Sequence, residues 1–165
     1  MSHSRIFELS MDRNKVVKGD WEDDIFDESF FIESIPGCDY VVKQDEQEFL
    51  NDIEWFSEVY NIPIKIDTMG GKKVGIIDKK GVEKLRDDLI KDKHNRIEKI
   101  RSLLKKGEED IDMWDISYVA YQDSDFYFII VDSPDFNNEM DLLKYYLRKD
   151  LPDEIFIVGS YDYHI

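Results

Sequence analysis

The sequence predicts an α+β fold: a single domain with a mixed or mainly antiparallel sheet built from hairpins, and two or three packed helices, one of them long and basic. Three observations predict it. Short apolar segments come in pairs around turn residues, as hairpins do. Two other segments repeat apolar residues at spacings of four, three and four, the period of a buried helix face. Residues 79–106 then carry one extended helical stripe rich in Lys and Arg. A regular βαβ array does not fit this order. No internal repeat, low-complexity tract or linker divides the 165 residues, so one domain over 1–165 is expected.

Arg5 to Ser10, with Ile6, Phe7 and Leu9, reads as a strand ended by a polar turn over Met11 to Lys15. Residues 20–33 mix carboxylates with Trp21, Ile25, Phe26, Phe30 and Phe31, and fit a short helix or an irregular segment equally. Pro36 and Gly37 punctuate the chain before a second strand, Asp39 to Lys43. Asp45 is a good helix N-cap, with Glu48 at the capping-box position. Phe49, Ile53, Phe56 and Tyr60 follow on one face, and Asn61 and Pro63 stop the helix. Ile64 and Ile66, then Val74, Ile76 and Ile77, flank Met69-Gly70-Gly71 as a glycine-turned hairpin.

The long helix has Val82, Leu85, Leu89, Ile90, Ile97, Ile100, Leu103 and Leu104 as its stripe and Gly107 beyond its end. Its middle, residues 91–96, has no apolar side chain, so either a solvent-spanning helix or a turn near His94 fits. Ser117 to Gln122 and Phe126 to Val131, around Asp123-Ser124-Asp125, read as a second hairpin. The run FYFIIV is apolar on both sides, which points to a central strand covered on both faces. Ser133 and Pro134 supply a cap and a first-turn proline for a helix carrying Phe136, Met140, Leu143 and Leu147. After Pro152, Glu154 to Gly159 forms the last strand, and the alternation of Tyr161, Tyr163 and Ile165 continues it.

A hydrophobic content of 42%, with 13% aromatics, is enough for a packed core and excludes a disordered acidic tail. One cysteine excludes a disulfide framework or a CxxC metal or redox motif, and MSHSRIFELS has no apolar run of signal-peptide length. The expected location is the cytoplasm, with no membrane span.

The net charge of −16 is unevenly placed. Residues 72–106 hold 13 Lys and Arg against 6 Asp and Glu, a local +7, so the other 130 residues hold 9 basic and 32 acidic side chains, or −23. A solvated helix laced with i, i+4 pairs such as Asp92 to Arg96 explains the basic stretch plainly. A contact role would use Lys84, Lys91, Lys93 and Arg96, either in pairing with a second copy or on nucleic acid. The strong negative charge elsewhere disfavours duplex DNA. The acidic stretch has six carboxylates in nine positions, residues 20–28. It reads as a solvated edge with Trp21 tucked inward, or as a docking surface in which Asp20, Glu22, Asp23, Asp24, Asp27 and Glu28 steer a basic partner onto Trp21.

Chemistry-bearing motifs are absent: no GxSxG, HExxH, GxxxxGK[ST] or GxGxxG occurs, and no cofactor is implied. Gly70-Gly71-Lys72-Lys73 is turn chemistry. The acids at 110, 112 and 115, and at 123 and 125, lack the glycine and closing glutamate of a calcium loop. His3, His94 and His164 have no metal-ligand spacing, although distance along the chain does not stop His164 from joining scattered carboxylates. Cys38 follows a turn, where a buried small hydrophobe is the commoner fate. The expected function is therefore a non-enzymatic acidic module that docks a basic protein, inhibitor-, immunity- or adaptor-like, and that can self-associate through the basic helix. The alternatives are a carboxylate enzyme, perhaps a metal-assisted hydrolase, whose site assembles only in three dimensions, and a nucleic-acid binder.

Overall fold

The computed structural model describes residues 3–21, 28–35, 37–122, 124–133 and 135–164. Among these, one seven-stranded mixed sheet is covered by helices on both faces. The order of elements is β1 (His3–Ser10), α1 (Arg13–Lys18), α2 (Glu28–Ser34), β2 (Tyr40–Lys43), α3 (Glu46–Tyr60), β3 (Lys65–Met69), β4 (Lys72–Ile77), α4 (Lys79–Leu104), α5 (Met113–Ser117), β5 (Phe126–Ile130), β6 (Asp135–Asn137), α6 (Glu139–Tyr146) and β7 (Ile155–His164). A 3₁₀ turn at Glu108–Asp110 precedes α5, and a π-helical segment, Tyr118–Gln122, follows it.

The sheet runs β3-β4-β7-β1-β5-β6, and β2 also pairs with β7. β1 and β5 are parallel, and the other described pairs are antiparallel. The ten-residue β7 organises this arrangement. One edge pairs with β1 over its length, while the other takes β4 at Ile155 to Ile157 and β2 at Tyr161 to His164. A bulge sits opposite the Glu8–Leu9 step, where Glu8 faces Gly159 and Leu9 faces Ile157. The extra residue, Val158, reverses the alternation of β7. Ile155 and Ile157 therefore face α3 and α4 before the bulge, and Ser160 and Asp162 face α3 after it, where Ser160 Oγ donates to Asp52 and Arg5 bridges Asp52 and Asp162.

The larger core layer joins Phe7, Leu9, Ile77, Phe126, Phe128, Ile130, Ile155 and Ile157 of the sheet to Phe49, Ile53, Phe56 and Tyr60 of α3, Val82, Leu85 and Leu89 of α4, and Leu142 and Leu143 of α6. Phe7, Phe56 and Phe126 meet at its centre, edge-on or stacked at 5.0 to 5.8 Å. On the opposite face, Phe31 of α2 and Ile35 just beyond it cover Ile6, Tyr127, Ile129, Tyr161 and Tyr163. Val16 and Trp21 cover Val74, Ile76, Phe156 and Val158. All five residues of β5 are buried, as an apolar central strand requires.

The helix starts and turns follow local chemistry. Asp45 accepts from Glu48 N at 2.9 Å, and Asp78 accepts from Gly81 N at 2.9 Å. Gly70 and Gly71 both have positive φ, 58° and 79°, which the two-residue β3–β4 turn demands. Gly70 must also be glycine for space, since a Cβ there would lie 2.6 Å from Gly19 Cα, at the end of α1.

Several expectations need correction. The Met11–Lys15 turn is the start of α1, capped by Asp12. Ser117–Gln122 is helical, not a hairpin strand, and β5 pairs instead with β1 and β6. The last helix starts at Glu139, because Asn138 and Asp141 form a reciprocal capping box and Asp135–Asn137 is recruited as β6. α4 passes through His94 unbroken. Pro36, Asp123 and Pro134, which figured in those readings, lie outside the described residues, as does Ile165. No helix among the described residues is long and apolar enough to cross a membrane.

Candidate functional site

Of the acidic stretch expected to dock a partner, Glu22, Asp23, Asp24 and Asp27 lie outside the described residues, and Glu28 opens α2. Asp20 is exposed. Trp21 is buried in the layer with Val16 and Phe156, beneath Lys72, so it fastens the segment to the sheet and offers no exposed anchor. The basic helix divides in the same way. Lys91 and Lys93 are exposed, and Lys84 is held by Asp88 at 2.9 Å and by the Tyr60 carbonyl. Arg96 is only 6% exposed, because its guanidinium bonds Asp92 at 2.8 Å and the Val119 carbonyl at 3.0 Å. Arg96 is thus a structural strut, which corrects its expected role as a surface contact.

That strut positions a surface the sequence reading missed. The chain leaves α4 through Gly107, makes the 3₁₀ turn and enters α5, where Asp112 caps by accepting from Trp114 N at 2.8 Å. The π-helical turns that follow are fixed at two carbonyls: Val119 accepts from Arg96, and Tyr121 accepts from Asn138 Nδ2 at 3.0 Å. Held at these two carbonyls, with Ile116, Val119 and Ala120 half-buried, the segment leaves its large side chains exposed. Met113, Trp114, Tyr118 and Tyr121 are 71, 58, 46 and 60% exposed, and Trp114, Tyr118 and Tyr121 recur at spacings of four and three. Around them Glu108, Glu109, Asp110, Asp112 and Asp115 are all exposed. Large apolar side chains are normally scattered singly over a surface, so a run of four on one short segment stands out. π-helical turns likewise concentrate at functional sites.

The signal was present in the sequence in another form. Residues 107–143 contain eleven carboxylates and not one Lys, Arg or His. The helical period of Trp114, Tyr118 and Tyr121 is masked by the local strand preference of Tyr118, Val119 and Tyr121.

A second assembly lies where α3, α4 and α6 meet. Tyr60, Asp88, Leu89, Lys91, Asp92, Asn95, Asp125 and Glu139 line a cleft of about 230 Å³. Glu139, 3% exposed, accepts from the backbone N–H groups of Asp125 and Phe126, with Arg96 4.0 Å away. Burial, with the charges of Asp125 and Asp92, pushes its carboxyl up to about 7 against the two backbone bonds. Burial first, then the charges of Glu139 and Asp125, holds the Tyr60 phenol well above its ordinary range.

The other singled-out residues have quiet surroundings. His164 Nδ1 lies 2.8 Å from Asp39 Oδ1, and Cys38 is buried with Phe31 and Tyr163. Among the described residues no group of three or more His, Cys, Asp or Glu side chains is disposed to hold a metal ion. No protein-family model matches this chain, and neither a curated protein nor a solved structure shows significant similarity to it.

Proposed function

We propose that this chain is a protein-binding module of the cytoplasm that docks a partner with a basic surface through α5 and the π-helical turns. One observation carries the reading: four large exposed side chains, Met113, Trp114, Tyr118 and Tyr121, lie within a stretch of 37 residues that has eleven carboxylates and no basic side chain. Carboxylates at a rim raise the rate of encounter with a positive surface, and buried aromatics supply most of the affinity once contact is made. Tyr and Trp do this at low entropic cost because few torsions must be fixed. This reading keeps the acidic docking role expected from composition and assigns it to residues 108–121, a different segment from the expected residues 20–28.

A second copy of the chain is the second reading, and a different observation favours it. Ile90, Ile97 and Leu104 are exposed at spacings of seven along α4, beside Lys91, Lys93, Lys105 and Lys106. Such a stripe suits helix pairing, and its basic flank would match the acidic turns of another copy.

The test is affinity capture from nuclease-treated lysate with the wild-type chain and with Trp114→Ala/Tyr118→Ala, each at low and high salt, alongside the mass of the purified chain in solution. A basic protein retained at low salt by the wild type and lost from the double variant is the expected result. Equal capture by both proteins overturns the docking surface, and a dimer that the double variant dissociates assigns the surface to self-association.

A further inference from the structure

The cleft where α3, α4 and α6 meet is not used by the docking surface, and it encloses a buried hydroxyl that is poorly satisfied. Tyr60 is 5% exposed and lines the cleft, and its hydroxyl faces the Glu139 carboxyl without completing a well-formed hydrogen bond among the described residues. A buried hydroxyl left without a partner costs stability, so such groups mark places where something else binds. Its neighbour is the buried Glu139, and Asp88, Asp92 and Asp125 line the same space. From α4, Lys84 is engaged by Asp88, and Arg96 by Asp92, the Val119 carbonyl and, at 4.0 Å, Glu139, while Lys91 is the cation among the residues that line the cleft. The carboxylates of Asp125 and Asp92 still act on Glu139 as like charges. Val59 and Leu89 add apolar wall.

We propose that this cleft binds a primary alkylammonium group, its three N–H donors shared among Glu139, Asp125 and the Tyr60 hydroxyl and its alkyl stem lying on Val59 and Leu89. Three oxygen acceptors on the lining of one cleft match the three donors of an ammonium better than the planar fork of a guanidinium. An apolar wall beside them suits a carbon stem, which prefers apolar surface while its head stays with charge. The ligand is either a free small amine or the lysine side chain of a peptide. This site does not depend on the aromatic surface, and either assignment can fail without the other.

Three probes separate these cases: butylammonium, its neutral isostere butanol, and Nα-acetyl-lysine methylamide, each titrated into the full chain while the Glu139 carboxyl and the Tyr60 ring are followed by NMR. Butylammonium is expected to give saturable shifts at both groups and to bind at least about tenfold more tightly than butanol. It should also move the Glu139 titration downward by about one unit, since a bound cation favours the ionised carboxylate, which faces Tyr60, Asp88, Asp92 and Asp125 together with the cations Arg96 and Lys91. Asp125→Asn should weaken binding about tenfold, and Lys91→Gln should tighten it severalfold by removing a repelling charge. These two side chains are exposed, so both variants keep the fold. Binding of the lysine amide as well assigns the site to a peptide side chain, and binding of butylammonium alone assigns it to a free amine. Butanol binding as tightly as butylammonium, or no saturable shift with either amine, overturns the proposal.

Discussion

Arg96 Nη1 donates to the Val119 carbonyl at 3.0 Å, tying the middle of the basic helix to the segment that carries Trp114, Tyr118 and Tyr121. The same guanidinium bonds Asp92 at 2.8 Å and stands 4.0 Å from Glu139. One buried cation thus connects the proposed docking surface with the cleft and bonds a carbonyl of the π-helical turn. Arg96→Ala is expected to destabilise the chain by about 3 kcal/mol, because it leaves buried acceptors without their donor. Urea denaturation measures the loss, and hydrogen exchange should show residues 118–122 losing protection before the sheet does.

Gly159 sits across the β1–β7 pair from Glu8, where a Cβ would overlap the Glu8 carboxylate. Glu8 is itself buried and 3.2 Å from Lys43, so it cannot swing aside freely. Gly159→Ala is expected to lower stability by about 2 kcal/mol through overpacking. Combining it with Glu8→Ala should give a smaller loss than the two single effects added, which a double-mutant cycle in urea would reveal.

The pH dependence of folding should carry the signature of Glu139. Its carboxyl is raised from 4.5 to about 7 in the folded chain, so between those values the folded state binds the proton that the unfolded state has released. Stability from this group is full below its unfolded value, falls as pH rises to about 7, and is then lost, for a total of about 3 kcal/mol. Glu154 runs the other way: its carboxyl is lowered by the hydrogen bond from Arg13, and its contribution is lost only in acid. Glu139→Gln, which keeps an acceptor for the Asp125 and Phe126 N–H groups, should flatten the decline between pH 5 and about 8 seen by urea denaturation.

Parts of this fold are written plainly in the sequence. α3 is legible because Phe49, Ile53, Phe56 and Tyr60 hold a strict helical period between Asp45 and Asn61, and all four are buried. The β3–β4 hairpin is legible because Gly70-Gly71 is turn chemistry that few other pairs supply. Residues 117–122 were not, since Tyr118, Val119 and Tyr121 favour strands locally, and only long-range bonds from Arg96 and Asn138 reveal their helical backbone. Two cap signals compete before α6, and pairing of Asp135–Asn137 with β5 decides for Asn138 over Ser133. The cleft was illegible for a simpler reason. With 38 acidic side chains, nothing in the sequence singles out Asp88, Asp92, Asp125 and Glu139 until α3, α4 and α6 bring them together.

Exposed and buried aromatics should separate cleanly on substitution. Phe56→Ala removes a ring packed against Phe7 and Phe126 and is expected to cost about 4 kcal/mol. Trp114→Ala removes a ring that is 58% exposed and should change stability by no more than about 0.5 kcal/mol. Thermal or urea unfolding of the two variants checks the contrast, which also shows that the aromatic surface is not held for folding.

The most direct measurement of the docking assignment is the affinity of a captured basic partner for the wild-type chain and for Trp114→Ala, Tyr118→Ala and Glu108→Lys/Glu109→Lys, by calorimetry at two salt concentrations. Each aromatic variant is expected to weaken binding about tenfold or more, and the charge reversal to weaken it and remove most of its salt dependence. Unchanged affinity in all three variants would contradict the assignment of this surface to a basic partner.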